Sequence, residues 1–499
     1  MLSRNKNLRY KNCVVFCIIY KDGQIRRCSM KNILDRPQVL FLIICTFWSL
    51  LFAFFNPPFQ APDEPEHLYK IYGMSQGSWS FKKLTQPIYE NGEYIGTVTK
   101  SGNIFPNGLI DASLVTYDLH FSPYKKTSFQ ETREIAKIKL QKETQYFMNY
   151  GVPAYTPISY MPSVIFVWLL SLFNATPFVI LMVARLCSLF TYLIFGYYAI
   201  KITPIKKWLF LIFALMPMCL YEASACSTDA LIMGASLLFT AYTLNLAYNE
   251  KIEKITFKHN LVFLLLASII AICKFTYMPL VFLYLIIPNK KFTSAELKLK
   301  NFVLYTIFTC ALSVLVIAQH LYFSRDCQFG SDAFSSKDLF LNAILHPIDY
   351  FIKVILSTFE NFYGYLSGFI GIFGWLDAKL PEIVVFIYFG LLILTAVQNN
   401  EIETVKISLK DKLIFFLIST VSYFLVLSSC YLVFGETIYG VLLGVQGRYF
   451  IPFALVALLM FSPKKGIGYG NVFKIISLVV VNFVLFVSLL TIICRFYIL

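Results

Sequence analysis

Long apolar runs, each near the length needed to cross a bilayer, recur along this chain and leave it few possible folds. Hydrocarbon offers no water to backbone N–H and C=O groups, so a spanning segment must satisfy them internally, and a helix does so within one segment. Such runs fall at about 38–55, 177–200, 208–225, 229–248, 302–323, 382–398, 413–434, 449–462 and 474–494. Roughly 20 apolar residues cover the ~30 Å hydrocarbon core. The pattern therefore predicts an all-α polytopic membrane protein with about nine full spans. Composition agrees, with 58% hydrophobic and 14% charged residues among 499, where a soluble domain carries about 25% charged.

Charge orients the spans. The net charge is +15, and cytoplasmic loops of membrane proteins collect Lys and Arg. The first 36 residues are basic, including Arg4, Arg9, Arg26, Arg27 and Arg36. They read as a cytoplasmic segment ahead of an uncleaved anchor, with residues 37–499 as the transmembrane domain. The connectors 201–207, 249–260, 289–300, 399–412 and 463–473 carry lysines (Lys206, Lys254, Lys291, Lys406 and Lys464 among them) and fall on the same side. Nucleic-acid binding would need a basic patch on a soluble architecture, and none is present. The 12 cysteines form no CxxC pair, and most lie inside apolar runs, where they act as small hydrophobes.

Two stretches resist assignment as full spans. Residues 261–288 begin and end beside cytoplasmic lysines yet are short, with Lys274 and Pro279 mid-way. They read as a hairpin of two half-spans with Lys274 at its tip, a broken helix of the kind tolerated where it lines a cavity. Counting 156–173 as a span would invert every later lysine loop, so it reads as a helix at the outer face. The extracytoplasmic mass is then the first loop, 56–155, long enough for short helices, and a second region, 324–381. The segment from His346 to Gly374 is amphipathic, and a further span there is the competing reading.

Directly after the first span stands Pro57-Pro58-Phe59-Gln60-Ala61-Pro62-Asp63-Glu64-Pro65-Glu66-His67. Adjacent carboxylates and an imidazole sit at a membrane exit, held by prolines. In a helical turn Asp63 and His67 share a face, and one carboxylate suits a general base with the other orienting it or binding metal. A helix N-terminal cap explains the same acids. Asp229, between two spans on the same side, has the same two readings. Glu222 lies deeper in an apolar run, where an ionisable group is costly and is functional or paired. The cations inside apolar segments are Arg185, Lys274 and Arg448. Arg suits bidentate phosphate contacts and Lys acts as a point charge. Pairing with the acids, or snorkelling, is the alternative. Asp63, Glu64, His67 and Asp229 are the available ligands for a divalent cation such as Mg or Mn. The five histidines form no HxxxH or HxH pattern, and P-loop, Rossmann and GxSxG patterns are missing.

The proline-acid cluster, Tyr155-Thr156-Pro157 through Tyr160-Met161-Pro162, Ser227-Thr228-Asp229-Ala230, Phe373-Gly374-Trp375-Leu376-Asp377 and Gln446-Gly447-Arg448-Tyr449-Phe450-Ile451-Pro452 resemble, in this order, the bacterial membrane family called domain of unknown function 2142. That family looks like a branch of the GT-C glycosyltransferases. The resemblance implies a GT-C-like fold in the bacterial cytoplasmic membrane, with an essential acid after the first span. It also implies a polyprenyl-phosphate-sugar donor and transfer on the extracytoplasmic side. Carried over, the acid falls on Asp63 with Glu64 beside it, and Asp229 matches the acid of the second outer loop. In oligosaccharyltransferase relatives that position reads as two acids one residue apart. Here Ser227 and Leu231 flank it, which counts against metal dependence.

The expected function is transfer of a sugar to a cell-envelope polysaccharide or teichoic-acid-like acceptor. Asp63, Glu64 and Asp229 are the expected catalytic residues, and Arg448 and Lys274 the donor-phosphate ligands. His67, Gln446, Trp375 and Tyr155 would position substrate, and Trp79 is a further sugar-stacking candidate. The rival functions are a transporter or flippase of lipid-linked saccharide, a polysaccharide polymerase or ligase, and a catalytically dead scaffold. The first lacks use for the large outer loop. The second would place its large loop late in the chain.

Overall fold

The computed structural model describes residues 18–21, 24–27, 33–80, 82–90, 93–148, 155–324, 336–398, 407–463 and 470–498. Most of the basic segment 1–36, part of the expected second extracytoplasmic region (325–335), and Lys406, Lys464 and Lys465 lie outside the described residues.

The protein is mostly helical and polytopic. Among the described residues, six helices are long and apolar enough to cross a membrane: Pro37–Phe55, Pro177–Ile202, Asp229–Tyr248, Ala295–Gln319, Leu409–Phe434 and Asn471–Phe496. Lys337–Leu345 and Pro347–Glu360 would make a seventh only if counted together, although they bend by 105°. The expected count of nine is therefore too high by this measure, and the shortfall has local causes. The run 208–225 is two short helices, Lys207–Ala214 and Pro217–Ala223. Pro217 has no N–H to give and pushes Met216 out of helical geometry, to φ −58° and ψ 138°. The run 382–398 yields 16 helical residues, Glu382–Val397. Its end is capped by Lys206, which donates to the carbonyls of Ala396 and Gln398. The run 449–462 forms Gly447–Leu459, 13 residues in two helical pieces.

The hairpin at 261–288 is present as Phe257–Cys273 and a 3₁₀ stretch, Phe275–Ile286, joined at an extended Lys274. Residues 157–172 form a short 3₁₀ turn and the helix Met161–Leu172, too short to span alone. The region 56–155, expected to be the first extracytoplasmic loop, adds what an all-helical expectation misses. Lys82–Glu90, Glu93–Pro106 and Thr144–Met148 form a three-stranded antiparallel sheet, with Lys82 opposite Gly102 and Gly102 opposite Met148.

Two apolar clusters hold these parts together. The larger joins the first span to 177–202, 229–248 and the half-helices, through Phe41, Trp48, Tyr192, Phe210 and Leu220. The smaller glues the region after the first span onto the helix 177–202, through Phe59, Tyr69, Phe105, Tyr160 and Ala184. The end of the last helix clasps the same region. Arg495 pairs with Asp377 at 2.6 Å and donates to the carbonyls of Leu119, Ser122 and Lys125.

Candidate active site

The first span ends at Asn56, where two prolines stop the helix. The chain then turns tightly. Gln60 donates to the Thr116 carbonyl at 2.8 Å, and Thr116 returns a bond to the Pro58 carbonyl at 2.9 Å. Phe59 (φ 65°) and Asp63 (φ 56°) both take left-handed backbone conformations, each costing about 1–3 kcal/mol in general. Asp63 occupies the cap position of the helix Glu64–Ser75, and its carbonyl accepts the His67 N–H at 3.0 Å. Its side chain makes no capping bond. The capping explanation therefore accounts for the position of Asp63 but not for its carboxylate.

That carboxylate is exposed. Even so, burial raises its pKa above the ordinary 3.8, opposed by Arg448 and Lys274 and reinforced by Asp229. Surface access and dominant desolvation together describe a group lining a recess with protein on most sides. Backbone strain at an acid that does no structural work is a pointer to function.

Glu64 has a different environment. It is fully buried and forms a fork-to-fork pair with Arg185, at 2.8 Å to Nε and 2.7 Å to Nη2. It also accepts the Cys226 N–H at 3.0 Å. Arg185 spends its remaining donors on the carbonyls of Ala53, Asn56 and Pro57. This latch ties the end of the first span, the proline turn and the helix 177–202 together. The structure places Glu64 as the anchor that orients Asp63, because its own oxygens are already committed.

A second buried ion group forms opposite. Arg448 Nη1 donates to Glu222 at 2.6 Å and lies 3.7 Å from Asp229. The break at Pro217 delivers Glu222, and Asp229 opens the helix Asp229–Tyr248 with its N–H on the Ser227 hydroxyl at 3.2 Å. Arg448 Nε and the side-chain oxygen of Gln446 are buried without a hydrogen-bond partner among the described residues. Lys274 sits 4.0 Å above the ring of Tyr449 and 6.0 Å from that of Tyr277. Its extended backbone at the hairpin junction aims it there.

The remaining expected residues divide. His67 Nδ1 bonds the Tyr160 hydroxyl at 2.7 Å, and burial drops its pKa to about 3, so the ring is neutral at physiological pH. Tyr155 packs edge-on against His67 at 5.4 Å and feels the charges of Asp229, Asp63 and Arg448. Trp375 instead stacks on His120 at 4.0 Å and reaches the Phe59 carbonyl at 3.5 Å. It braces the proline turn from outside the charged group. Trp79 lies in a separate cavity.

Thus Asp63, His67, Tyr155, Asp229, Lys274 and Arg448 share one electrostatic environment, while Glu64 and Trp375 support it. The residue-by-residue reading gave no role to Tyr160, Tyr277 and Tyr449. Tyr160 and Tyr449 stand inside recognised motifs. Glu66 is the third carboxylate of the cluster in the sequence, and in the structure burial and then Asp63 push it to about 7. Among the described residues, no group of three or more His, Cys, Asp or Glu side chains is arranged to hold a metal. Of the expected ligands, Glu64 is spent on Arg185 and His67 gives its Nδ1 to Tyr160.

The family described as "Predicted membrane protein (DUF2142)" matches residues 45–457. No curated protein and no solved structure matches.

Proposed function

The chain belongs to the DUF2142 family of membrane proteins, and from that premise we propose that it is a GT-C-like glycosyltransferase acting on a polyprenyl-phosphate-linked sugar at the extracytoplasmic face. The observation that carries the reading is Asp63, an accessible, structurally idle carboxylate held in a strained turn beside two cations. A base needs access, a raised pKa and a fixed position, and a flippase has no use for that combination.

In the proposed reaction Asp63 takes the proton of an acceptor hydroxyl. The acceptor oxygen bonds to the anomeric carbon as the bond from that carbon to the phosphate oxygen breaks, with inversion. The electron pair leaves on the lipid phosphate, where positive charge placed in advance is most effective. Lys274 is the better placed of the two cations, because its contacts are ring faces, whereas Arg448 already serves Glu222. Tyr449 holds Lys274 in reach. Asp229 keeps Arg448 from turning wholly toward the donor, and His67, as a neutral ring, fixes Tyr160. The acceptor on this reading is a cell-envelope glycan, and the N-terminus is cytoplasmic.

The test is transfer from a lipid-linked sugar by purified Asp63→Asn protein that inserts and folds. Loss of a general base lowers turnover by about 10²–10⁴-fold. Full activity in that variant would remove Asp63 from the chemistry.

A further inference from the structure

The helix Pro347–Glu360 has three distinct sides. It is 14 residues long, about 21 Å at 1.5 Å per residue, which falls short of the ~30 Å hydrocarbon core. Pro347 opens it after a bend of 105° from Lys337–Leu345. Val354 and Ser357 are buried against the protein. Opposite them, Ile348, Ile352, Ile355 and Phe359 form an exposed stripe, with Ile348 at 77% and Phe359 at 78% exposure. Asp349, Lys353 and Glu360 share one flank, within about 40° of one another at 3.6 residues per turn.

Its contacts fix how it lies. Phe351 stacks on Phe424 at 5.8 Å, and the Thr358 hydroxyl meets that of Tyr423 at 2.7 Å. Two residues a couple of turns apart thus reach adjacent residues of Leu409–Phe434, so the helix crosses that membrane helix rather than running beside it. Tyr350 meets Ser428 at 2.6 Å, which puts the crossing in the half nearer Phe434. Lys353 pairs with Asp349 at 2.9 Å and with Glu436 at 2.8 Å, and Ser357 accepts the Leu442 N–H at 2.8 Å. Lys353 therefore turns toward the chain beyond the end of the membrane helix. Leu413, Leu417 and Val421 are exposed along one side of that membrane helix and lead, at helical spacing, to Phe424. Phe351 carries this lipid-facing stripe onto the crossing helix, where a water-soluble partner could cover only part of it.

We propose that Pro347–Glu360 lies in the membrane surface instead of crossing the bilayer, with Ile348, Ile352, Ile355 and Phe359 among the acyl chains and Asp349 and Glu360 in water. The partner of this face is the lipid surface itself. The flank holds two acids and one lysine, the reverse of the basic helices drawn to anionic headgroups. Burial of apolar side chains therefore holds it, and zwitterionic lipid suffices. Through Lys353 and Ser357 the helix also grips the turn that leads into Gln446 and Arg448, which seats that edge of the candidate site against the bilayer surface. This seat is independent of the reaction proposed above.

The experiment uses the full protein in nanodiscs of phosphatidylcholine and, separately, of phosphatidylglycerol. A nitroxide is attached to p-acetylphenylalanine introduced singly in place of Ile348, Ile352, Phe359, Asp349 or Glu360, which leaves the native cysteines as they are. Collision with oxygen and with a water-soluble nickel chelate reads the depth of each label. The expected result is one shared depth for the labels at Ile348, Ile352 and Phe359, about 5–10 Å into the headgroup and acyl boundary. It should be the same in both lipids, with the labels at Asp349 and Glu360 open to the chelate. A depth that changes by about 16 Å between Ile348 and Phe359, the rise of an upright helix, would reveal a span and overturn the proposal. So would stripe labels open to the chelate, or insertion in phosphatidylglycerol alone. Stripe labels shielded from both reagents would place another protein or a second copy on this face, and overturn it too. Where a label at Phe359 prevents folding, Ile355 carries it instead.

Discussion

Replacing Glu64 by Gln separates an anchor from a catalyst. Wild-type Arg185 is 1% exposed and makes five hydrogen bonds, two of them to Glu64. In Glu64→Gln the three carbonyl contacts survive, but a buried guanidinium loses its counter-charge. Breaking one side of such a pair costs about 3–5 kcal/mol, whereas replacing both partners by uncharged groups of similar size is often near neutral. Glu64→Gln and Arg185→Met should each cost that much. The double variant should recover a large part of it, with a coupling of at least ~2 kcal/mol. The assay is reversible unfolding in mixed micelles at rising SDS fraction, followed by circular dichroism. Transfer activity is measured in parallel under conditions where each variant is folded. Folded Glu64→Gln protein should keep turnover near that of wild type if, as proposed, Asp63 is the base. A Glu64→Gln protein as stable as wild type but inactive would refute the anchor role and return Glu64 to the chemistry. Additive single losses would show that the two side chains do not act as a pair.

Three further outcomes are expected. As the proposed base Asp63 must be deprotonated, and burial raises its pKa above the ordinary 3.8, so kcat/KM should fall, as pH drops, on a limb centred above that value; a limb at or below it contradicts the recessed setting. His67 has a folded-state pKa lowered to about 3 from 6.5, so the stability its neutral form contributes is fully present above 6.5 and is lost as pH falls toward 3. A His67→Gln variant should flatten that part of the unfolding-versus-pH curve. A Cβ on Gly447 would lie 2.0 Å from the Tyr365 carbonyl oxygen and 2.3 Å from the Phe369 nitrogen, so Gly447→Ala must displace backbone beside Arg448. A stability loss of about 1–3 kcal/mol and weaker donor binding should both be measurable.

Much of the fold is legible in the apolar pattern, because a bilayer leaves helix as the economical way to satisfy a backbone. The hairpin broken at Lys274 is readable from charge, since lysines mark both its ends. The nine-span count fails where an apolar run holds a proline or stops short. Hydropathy averages over Pro217, while the backbone cannot. The three-stranded sheet escapes the all-helical expectation although Asn91-Gly92 between runs of Thr, Tyr, Ile and Val is a hairpin signal. The physics that compels helix inside the bilayer does not reach a loop that lies outside it.

The site divides in the same way. The order of residues is enough to establish a membrane protein with prolines and acids at the exit of its first span, and to single out Asp63, Asp229, Lys274 and Arg448 as a set. Which of the adjacent acids is free is settled by packing alone. Asp63 and Glu64 are neighbours with the same functional group, and no local pattern tells them apart. The difference is made by Arg185, 121 residues from Glu64 in sequence, which neutralises Glu64 in the protein interior and leaves Asp63 facing the recess. A buried charge must find its partner wherever the fold brings one, and that partner is a property of packing, not of sequence neighbourhood.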